Sequence, residues 1–179
     1  VAFANGALVT ADESGDLPAD GWTFAIRSAG DANQKNCLCL LSATVSPAAR
    51  GLGFAQILIE RAKQATRELG YRTMVAPVRP TLKHEHPFTP MKDYVARRSV
   101  DGEVFDPWLK LHVKSGGQIA NICPRSVKIR ATVAKWKEWT GLPISQSGDR
   151  LLPQGLVPLK VDLLRNIGEY CEPNIWVRY

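Results

Sequence analysis

Val45-Ser46-Pro47-Ala48-Ala49-Arg50-Gly51-Leu52-Gly53-Phe54-Ala55-Gln56-Ile57-Leu58 is the stretch on which the fold turns. Just upstream, residues 37–45 form the longest apolar run of the chain, broken by Ser42 and Thr44 and of strand length. That run reads as a buried strand. Residues 46–53, with Pro47, Gly51 and Gly53, read as a turn. Leu58, Ala62, Ala65 and Leu69 then recur at spacings of four, three and four. The spacing predicts one face of a helix that Gly70 stops. Residues 71–78 follow as a strand ended by Pro80. The order strand, glycine turn, helix, strand is a βαβ-like unit. The start of such a helix carries unpaired N–H groups and partial positive charge. Gly51 and Gly53 let an anion approach that backbone, and a pyrophosphate suits it. The stretch is not a Walker loop, because no GK[ST] follows, and a GxGxxG fingerprint fails at Gln56.

Outward from this unit the chain alternates short elements. Residues 1–10 read as a strand and residues 11–21 as a polar loop with Glu13, Ser14, Gly15, Asp16 and Pro18. Residues 22–29 suit a short helix, and residues 28–36 a turn. Downstream, Thr89-Pro90 offers a cap and first-turn proline for a helix over 91–98. Asp106-Pro107 does the same for 108–115, stopped by Gly116 and Gly117. Residues 118–122 and 127–131 read as two strands, and Thr132 caps a helix holding Trp136 and Trp139. A loop over 141–155 and a hairpin of 156–163 with 169–177 complete a mixed α/β domain over 1–179.

Composition narrows the classes. Of 179 residues, 45% are hydrophobic and 22% charged, which fits one globular domain and excludes disorder. No window holds eighteen consecutive apolar residues and no secretory leader is visible, so the expected place is the cytoplasm, without a membrane. The chain starts at Val1 rather than Met, so a trimmed or truncated N-terminal part is expected. Cys37, Cys39, Cys123 and Cys171 form no CxxC pair and read as buried, reduced thiols, with no metal site. His84-Glu85-His86, followed by Pro87, reads as a loop rather than a chelate. The net charge is +6, and from Pro107 to Lys137 there are seven Lys and Arg but no Asp or Glu. A solvated face, a seat for phosphates, and a dock for an acidic carrier protein all account for that stretch. Nucleic acid is a fourth reading, without any module motif behind it.

The quoted stretch resembles the pyrophosphate loop of the GNAT acetyltransferase superfamily, of the form [RQ]xxGx[GA], which follows a strand and opens a helix. Gly51 and Gly53 match, Arg50 matches the basic residue common before the first glycine, and Ala48 departs from the usual Arg or Gln. The resemblance implies a GNAT fold, an α/β arrangement with a mostly antiparallel central sheet flanked by helices. It also implies coenzyme A or acyl-CoA as cosubstrate, with no permanently bound cofactor. Its phosphates would lie on Ala48, Ala49, Arg50, Gly51, Leu52, Gly53, Phe54 and Ala55. Leu111-His112-Val113-Lys114-Ser115-Gly116-Gly117 sits where many members end a helix with a tyrosine that protonates the leaving thiolate, and His112 takes that tyrosine's position. Residues 79–83 and 105–112 are further similar to a GNAT-like branch that includes polyketide synthase loading domains. There a Thr and a His serve decarboxylation of malonyl thioesters. On that resemblance Thr81 and His112 are the catalytic candidates, with Arg125 for a carboxylate.

The residues themselves bear on the choice of chemistry. Acyl transfer to an amine needs a base and an acid for the thiolate. The strands over 37–45 and 71–78 hold no Asp or Glu, which leaves Glu85, Asp93 or Asp101 to reach in from elsewhere. Decarboxylation needs a carboxylate seat and donors for an enolate oxygen, which a Thr hydroxyl and an imidazole N–H supply. Without the resemblance, Thr81 reads as a turn residue and His112 as a helix-surface histidine. The leading expectation is an acyltransferase using an acyl thioester of coenzyme A or of a carrier protein's pantetheine, with the acceptor open. A malonyl-thioester decarboxylase and a non-catalytic carrier-docking module are the alternatives.

Overall fold

The computed structural model describes residues 2–12, 15–32 and 34–179. Val1, Glu13, Ser14 and Asn33, read above as parts of a strand and of polar loops, lie outside the described residues. The elements in chain order are β1 (Ala2–Val9), α1 (Gly21–Gly30), β2 (Cys37–Val45), α2 (Phe54–Glu68), β3 (Thr73–Val78), α3 (Met91–Ala96), α4 (Pro107–Lys114), β4 (Gln118–Ala131), α5 (Val133–Thr140), β5 (Gly148–Arg150), β6 (Leu159–Asp162) and β7 (Ile167–Arg178). The seven strands form one sheet, in the order β1-β2-β3-β7-β6-β5, with β4 also paired to β7. One pairing, β2 with β3, is parallel and the others are antiparallel. The βαβ-like unit and the mostly antiparallel sheet are therefore both present.

Alternation along the strands builds a core on each face of the sheet. Met74, Ala76, Ile175 and Val177 point to a core shared with Ile59 of α2, Tyr94 of α3 and Leu109 of α4. Val75 and Trp176, one residue out of step, point to the other core with Ala25 of α1 and Cys37, Cys39 and Cys123. The three thiols are buried, and none is in a disulfide. Neighbouring Cys37 and Cys123 add to the desolvation that already holds the Cys39 thiol well above its ordinary range.

Four sequence expectations change. The face that α2 buries is centred on Ile59 and Thr66, and Leu69 is 53% exposed. Thr66 is tolerated there because its hydroxyl donates to the Ala62 carbonyl at 2.8 Å, while Leu69 lies past the last turn. Pro90, not Thr89, stands at the start of α3, with no side-chain cap. Residues 118–131 are one strand rather than two, because irregularities at Ile119/Ile122 and Cys123/Val127 absorb the break while pairing with β7 continues. Finally, β2 is buried only in its first half; residues 41–45 are not covered by β3.

Candidate active site

The cleft follows from where strand pairing stops. β2 and β3 pair in parallel from Cys37↔Thr73 to Cys39↔Val75 and then separate. Beyond that point β2 stays with β1, while β3 pairs with β7 from Val75↔Arg178 to Val78↔Ile175. The shared edge of β7 passes from β6, which pairs with residues 167–169, to β3, which pairs with residues 175–178. Residues 170–174 are left unpaired on that edge. A cleft of about 990 Å³ opens in the splay. It is lined by Leu40 to Val45 of β2, Ala76 to Val78 of β3, Trp22 of α1, Trp108 and His112 of α4, and Glu172 and Asn174 of β7. Arg50 and Ala55 border it at one end, and Arg79, Thr81 and Gln154 also line it.

The glycine turn supplies the end of the cleft at Arg50. Pro47–Ala49 form a 3-10 turn, in which the N–H groups of Ala49 and Arg50 donate to the Ser46 and Pro47 carbonyls. Those two donors are consumed, so the run of free N–H groups begins at Gly51 rather than at Ala48, where the resemblance places it. From Gly51 to Ala55 no N–H group has an acceptor among the described residues. Gly51 and Gly53 both have φ of 80°, and a Cβ on either would meet nothing within 4 Å. Glycine is needed here for the left-handed backbone, not for space. The opening is an exposed, positively polarised helix start flanked by the Arg50 side chain.

His112 lines the cleft from α4. It is 1% exposed, not a surface residue, because the face of α4 that carries it packs onto the sheet. The Trp108 ring, one turn earlier, meets it edge-on with centroids 4.4 Å apart. Its Nδ1 lies 2.6 Å from the Tyr179 hydroxyl, while Nε2 is buried without a partner. Burial pushes its pKa from 6.5 down to about 4, so the ring is neutral at neutral pH.

Thr81 lines the same cleft, so the structure brings the two residues together. The connection is Asp106, 1% exposed, which caps α4 by accepting from the N–H groups of Trp108 and Leu109 at 3.1 Å. The same carboxylate accepts from Leu82 N–H at 2.9 Å and from the Tyr94 hydroxyl at 2.8 Å. The Thr81 hydroxyl lies 3.4 Å from it. One buried carboxylate thus ties the chain after β3 to the helix that carries His112.

Arg125 is not brought to the cleft. It lies exposed at the second irregularity of β4, its N–H donating to the Ala19 carbonyl at 2.9 Å. Glu85, Asp93 and Asp101 do not line the cleft either. The ionic groups that do were missed from the sequence. Arg79 donates to both oxygens of Glu172, at 2.9 and 3.1 Å, and to the Gln154 carbonyl at 2.6 Å. The Tyr170 hydroxyl donates to Glu172 at 2.5 Å. Burial and this carboxylate hold the Tyr170 pKa far above its ordinary value. Asn174, 3% exposed, donates its Nδ2 to the Pro77 carbonyl at 3.2 Å and leaves its Oδ1 without a partner. Arg79 stands two residues before Thr81, and Glu172 and Asn174 alternate on one strand. Only the pairing of β3 with β7 puts them together.

The basic stretch is largely neutralised. Lys110 and Lys114 pair with Glu103 at 3.0 and 2.8 Å, Lys128 with Glu169 at 3.3 Å, and Lys135 with Glu138 at 2.9 Å. All three acids lie outside the 107–137 stretch, Glu138 by one position. Trp136 is buried and donates to the Gly168 carbonyl, while Trp139 is 53% exposed. The residues of His84-Glu85-His86 point to separate tasks, with His84 on the Thr81 carbonyl and His86 against Tyr94 and Phe105. Among the described residues no helix is long and apolar enough to cross a membrane.

No family model matches the chain. Among solved structures it is similar to the loading GNATL domain of CurA from Lyngbya majuscula, with a TM-score of 0.62 and 15% identity, covering 98% of this chain and 68% of that one. The chain has the GNAT fold. A second GNAT structure, the GphF GNAT-like decarboxylase in complex with isobutyryl-CoA, aligns with a TM-score of 0.58 and 17% identity over 100% of this chain and 71% of that one. By sequence the chain is 34% identical over 186 residues to the arginine N-acetyltransferase avaD of Aspergillus versicolor. That alignment takes in 90% of this chain and 64% of the relative, so the chain spans just under two thirds of that protein's length. In this GNAT fold Arg50 and Ala55, on either side of the glycine turn, line the cleft that opens where β2 and β3 splay apart.

Proposed function

We propose that this chain is an acyltransferase that takes its acyl group from an acyl thioester of coenzyme A and passes it to an amine. The observation that carries the reading is the continuous cleft. It is lined by Arg50 and Ala55, which flank the turn whose N–H groups from Gly51 to Ala55 are open, and by His112, whose buried Nε2 has no partner. Pyrophosphate suits the first feature and a thioester the second. The name of the relative from Aspergillus versicolor supports an amine acceptor. Ala76, Pro77 and Val78 on β3, and Leu40 to Val45 on β2, wall the intervening channel, where a pantetheine arm lies between diverging strands.

In the transfer the acceptor nitrogen attacks the thioester carbonyl, the C–S bond breaks, and the thiolate leaves. Neutral His112 hydrogen-bonds the negative charge as it develops. Glu172 is the carboxylate among the described cleft residues, held in place by Arg79 and Tyr170. It takes the proton from the amine directly or through one water. The proton ends on the departing sulfur by way of solvent. The same cleft accepts the pantetheine arm of an acyl carrier protein as donor.

A second reading, malonyl-thioester decarboxylation, is favoured by one observation: Thr81 and His112 line the same cleft. The C–C bond to the carboxylate breaks, carbon dioxide leaves, the two donors hold the enolate oxygen, and the carbon is then protonated. The name of the GphF neighbour supports this reading. Incubation with acetyl-CoA and malonyl-CoA, with and without arginine as acceptor, followed by intact-mass analysis of the products, separates the two. An acetylated amine supports transfer, and acetyl-CoA formed from malonyl-CoA supports decarboxylation. Neither product from either donor refutes catalysis on these donors.

A further inference from the structure

Tyr179 is in contact with the buried histidine but has no role assigned above. Its hydroxyl lies 2.6 Å from His112 Nδ1, with ring centroids 6.1 Å apart. Its backbone is fixed by a reciprocal pair with Met74, N–H to carbonyl at 2.8 and 3.3 Å. Gly117 leaves it room, since a Cβ there would stand 2.9 Å from Tyr179 Cζ and from the His112 carbonyl oxygen. The charged groups beside the ring are Lys63, 5.8 Å from its centroid, and Glu60. Lys63 is itself bound to the Ser115 carbonyl at 2.8 Å and to Glu60 at 3.1 Å.

The direction of the short hydrogen bond decides what His112 offers the cleft. A neutral imidazole carries one N–H and one bare nitrogen. If Nδ1 held the proton and donated to the phenol, the phenolic proton would have no protein acceptor, since the described residues offer the half-buried Tyr179 hydroxyl no other. If the phenol donates, its proton is satisfied and the imidazole proton must sit on Nε2. A phenol is also the better donor of the pair.

We propose that Tyr179 is a positioning residue: its hydroxyl donates to His112 Nδ1 and so holds His112 as the Nε2–H tautomer, presenting a fixed neutral donor to an anionic oxygen or sulfur in the cleft. The assignment changes the role expected from the resemblance. A ring held neutral stabilises a thiolate or enolate by hydrogen bonding and does not arrive as an imidazolium to hand over a proton. The unpartnered Nε2 is then a donor awaiting its acceptor.

The test is the tautomer itself, which needs no turnover. The chain has three histidines, so long-range proton–nitrogen correlation spectra of histidine-labelled protein resolve His112 at pH 7.5. Wild type is expected to carry the proton on Nε2, and Tyr179→Phe to show a mixture of tautomers. Proton on Nδ1 in wild type overturns the proposal. So does an unchanged Nε2–H tautomer in Tyr179→Phe. The kinetic arm rests on the proposed acyl transfer: kcat for acetyl-CoA should fall roughly tenfold in Tyr179→Phe, less than the roughly hundredfold cost of losing an oxyanion donor outright. KM for acetyl-CoA should stay within about twofold. A wild-type kcat in a variant whose tautomer has become mixed also overturns it. A protein with the expected tautomers but no turnover upholds the positioning and refutes only the proposed reaction.

Discussion

Because His112 is buried and neutral, the protein should lose stability on mild acidification by a predictable amount. In the unfolded chain a histidine takes up its proton near pH 6.5, whereas folded His112 refuses it until about pH 4. Between these values the unfolded state binds more protons, so stability falls as pH falls. A displacement from 6.5 to about 4 is worth about 3 kcal/mol once pH is well below 4, at about 1.4 kcal/mol per pH unit. About 2 kcal/mol of it is lost already by pH 5. Other groups titrate in the same range, so the comparison is with His112→Gln, which keeps a polar side chain and removes the titration. Urea unfolding followed by fluorescence of the five tryptophans measures both proteins from pH 7.5 to 5. The variant should be the less stable at pH 7.5, having lost the Tyr179 contact, and the gap should narrow by about 2 kcal/mol at pH 5. A gap that stays constant within about half a kcal/mol would mean that His112 titrates as in water, and the reasoning from its burial would fail.

Gly53→Val places a β-branched residue at φ of 80°, and the turn must rearrange. Coenzyme A affinity, read by calorimetry, should fall more than tenfold while circular dichroism is unchanged; wild-type affinity in a folded variant refutes the phosphate site. Asp106→Ala removes the acceptor of four short hydrogen bonds and should cost about 3 kcal/mol or more, measured by denaturant unfolding. A loss below about 1 kcal/mol would show that the connection between the Thr81 loop and α4 is made elsewhere. Thr81→Val should reduce carbon dioxide release from malonyl-CoA roughly a hundredfold if that reaction occurs, and acyl transfer much less. Equal effects on both remove Thr81 as the residue that distinguishes them.

Local chemistry made much of the scaffold legible in the sequence. Pro47, Gly51 and Gly53 specify a turn that other residues do not adopt easily, so the bend between β2 and α2 and its open N–H groups follow from a few neighbouring positions. Asp106-Pro107 and Thr132 announce helix starts by the same local logic, and both side chains do cap. The helical face was less legible. Periodicity marked Leu58 and Leu69, whereas contact with the sheet selected Ile59 and Thr66.

What the sheet decides had no local signal. The splay of β2 from β3 depends on each strand having a different partner beyond Cys39 and Val75, which is a matter of register between distant segments. The Arg79–Glu172 pair joins residues 93 positions apart, and Asn174 meets Pro77 across 97. The basic stretch looked like a continuous charge because Glu103 and Glu169, which neutralise three of its lysines, are outside it in sequence. His112 was marked by resemblance, yet its burial, its neutral ring and its bond to Tyr179 arise only when α4 docks beside the end of β7. Those are properties of solvent exclusion, and solvent exclusion belongs to the packed whole rather than to any segment.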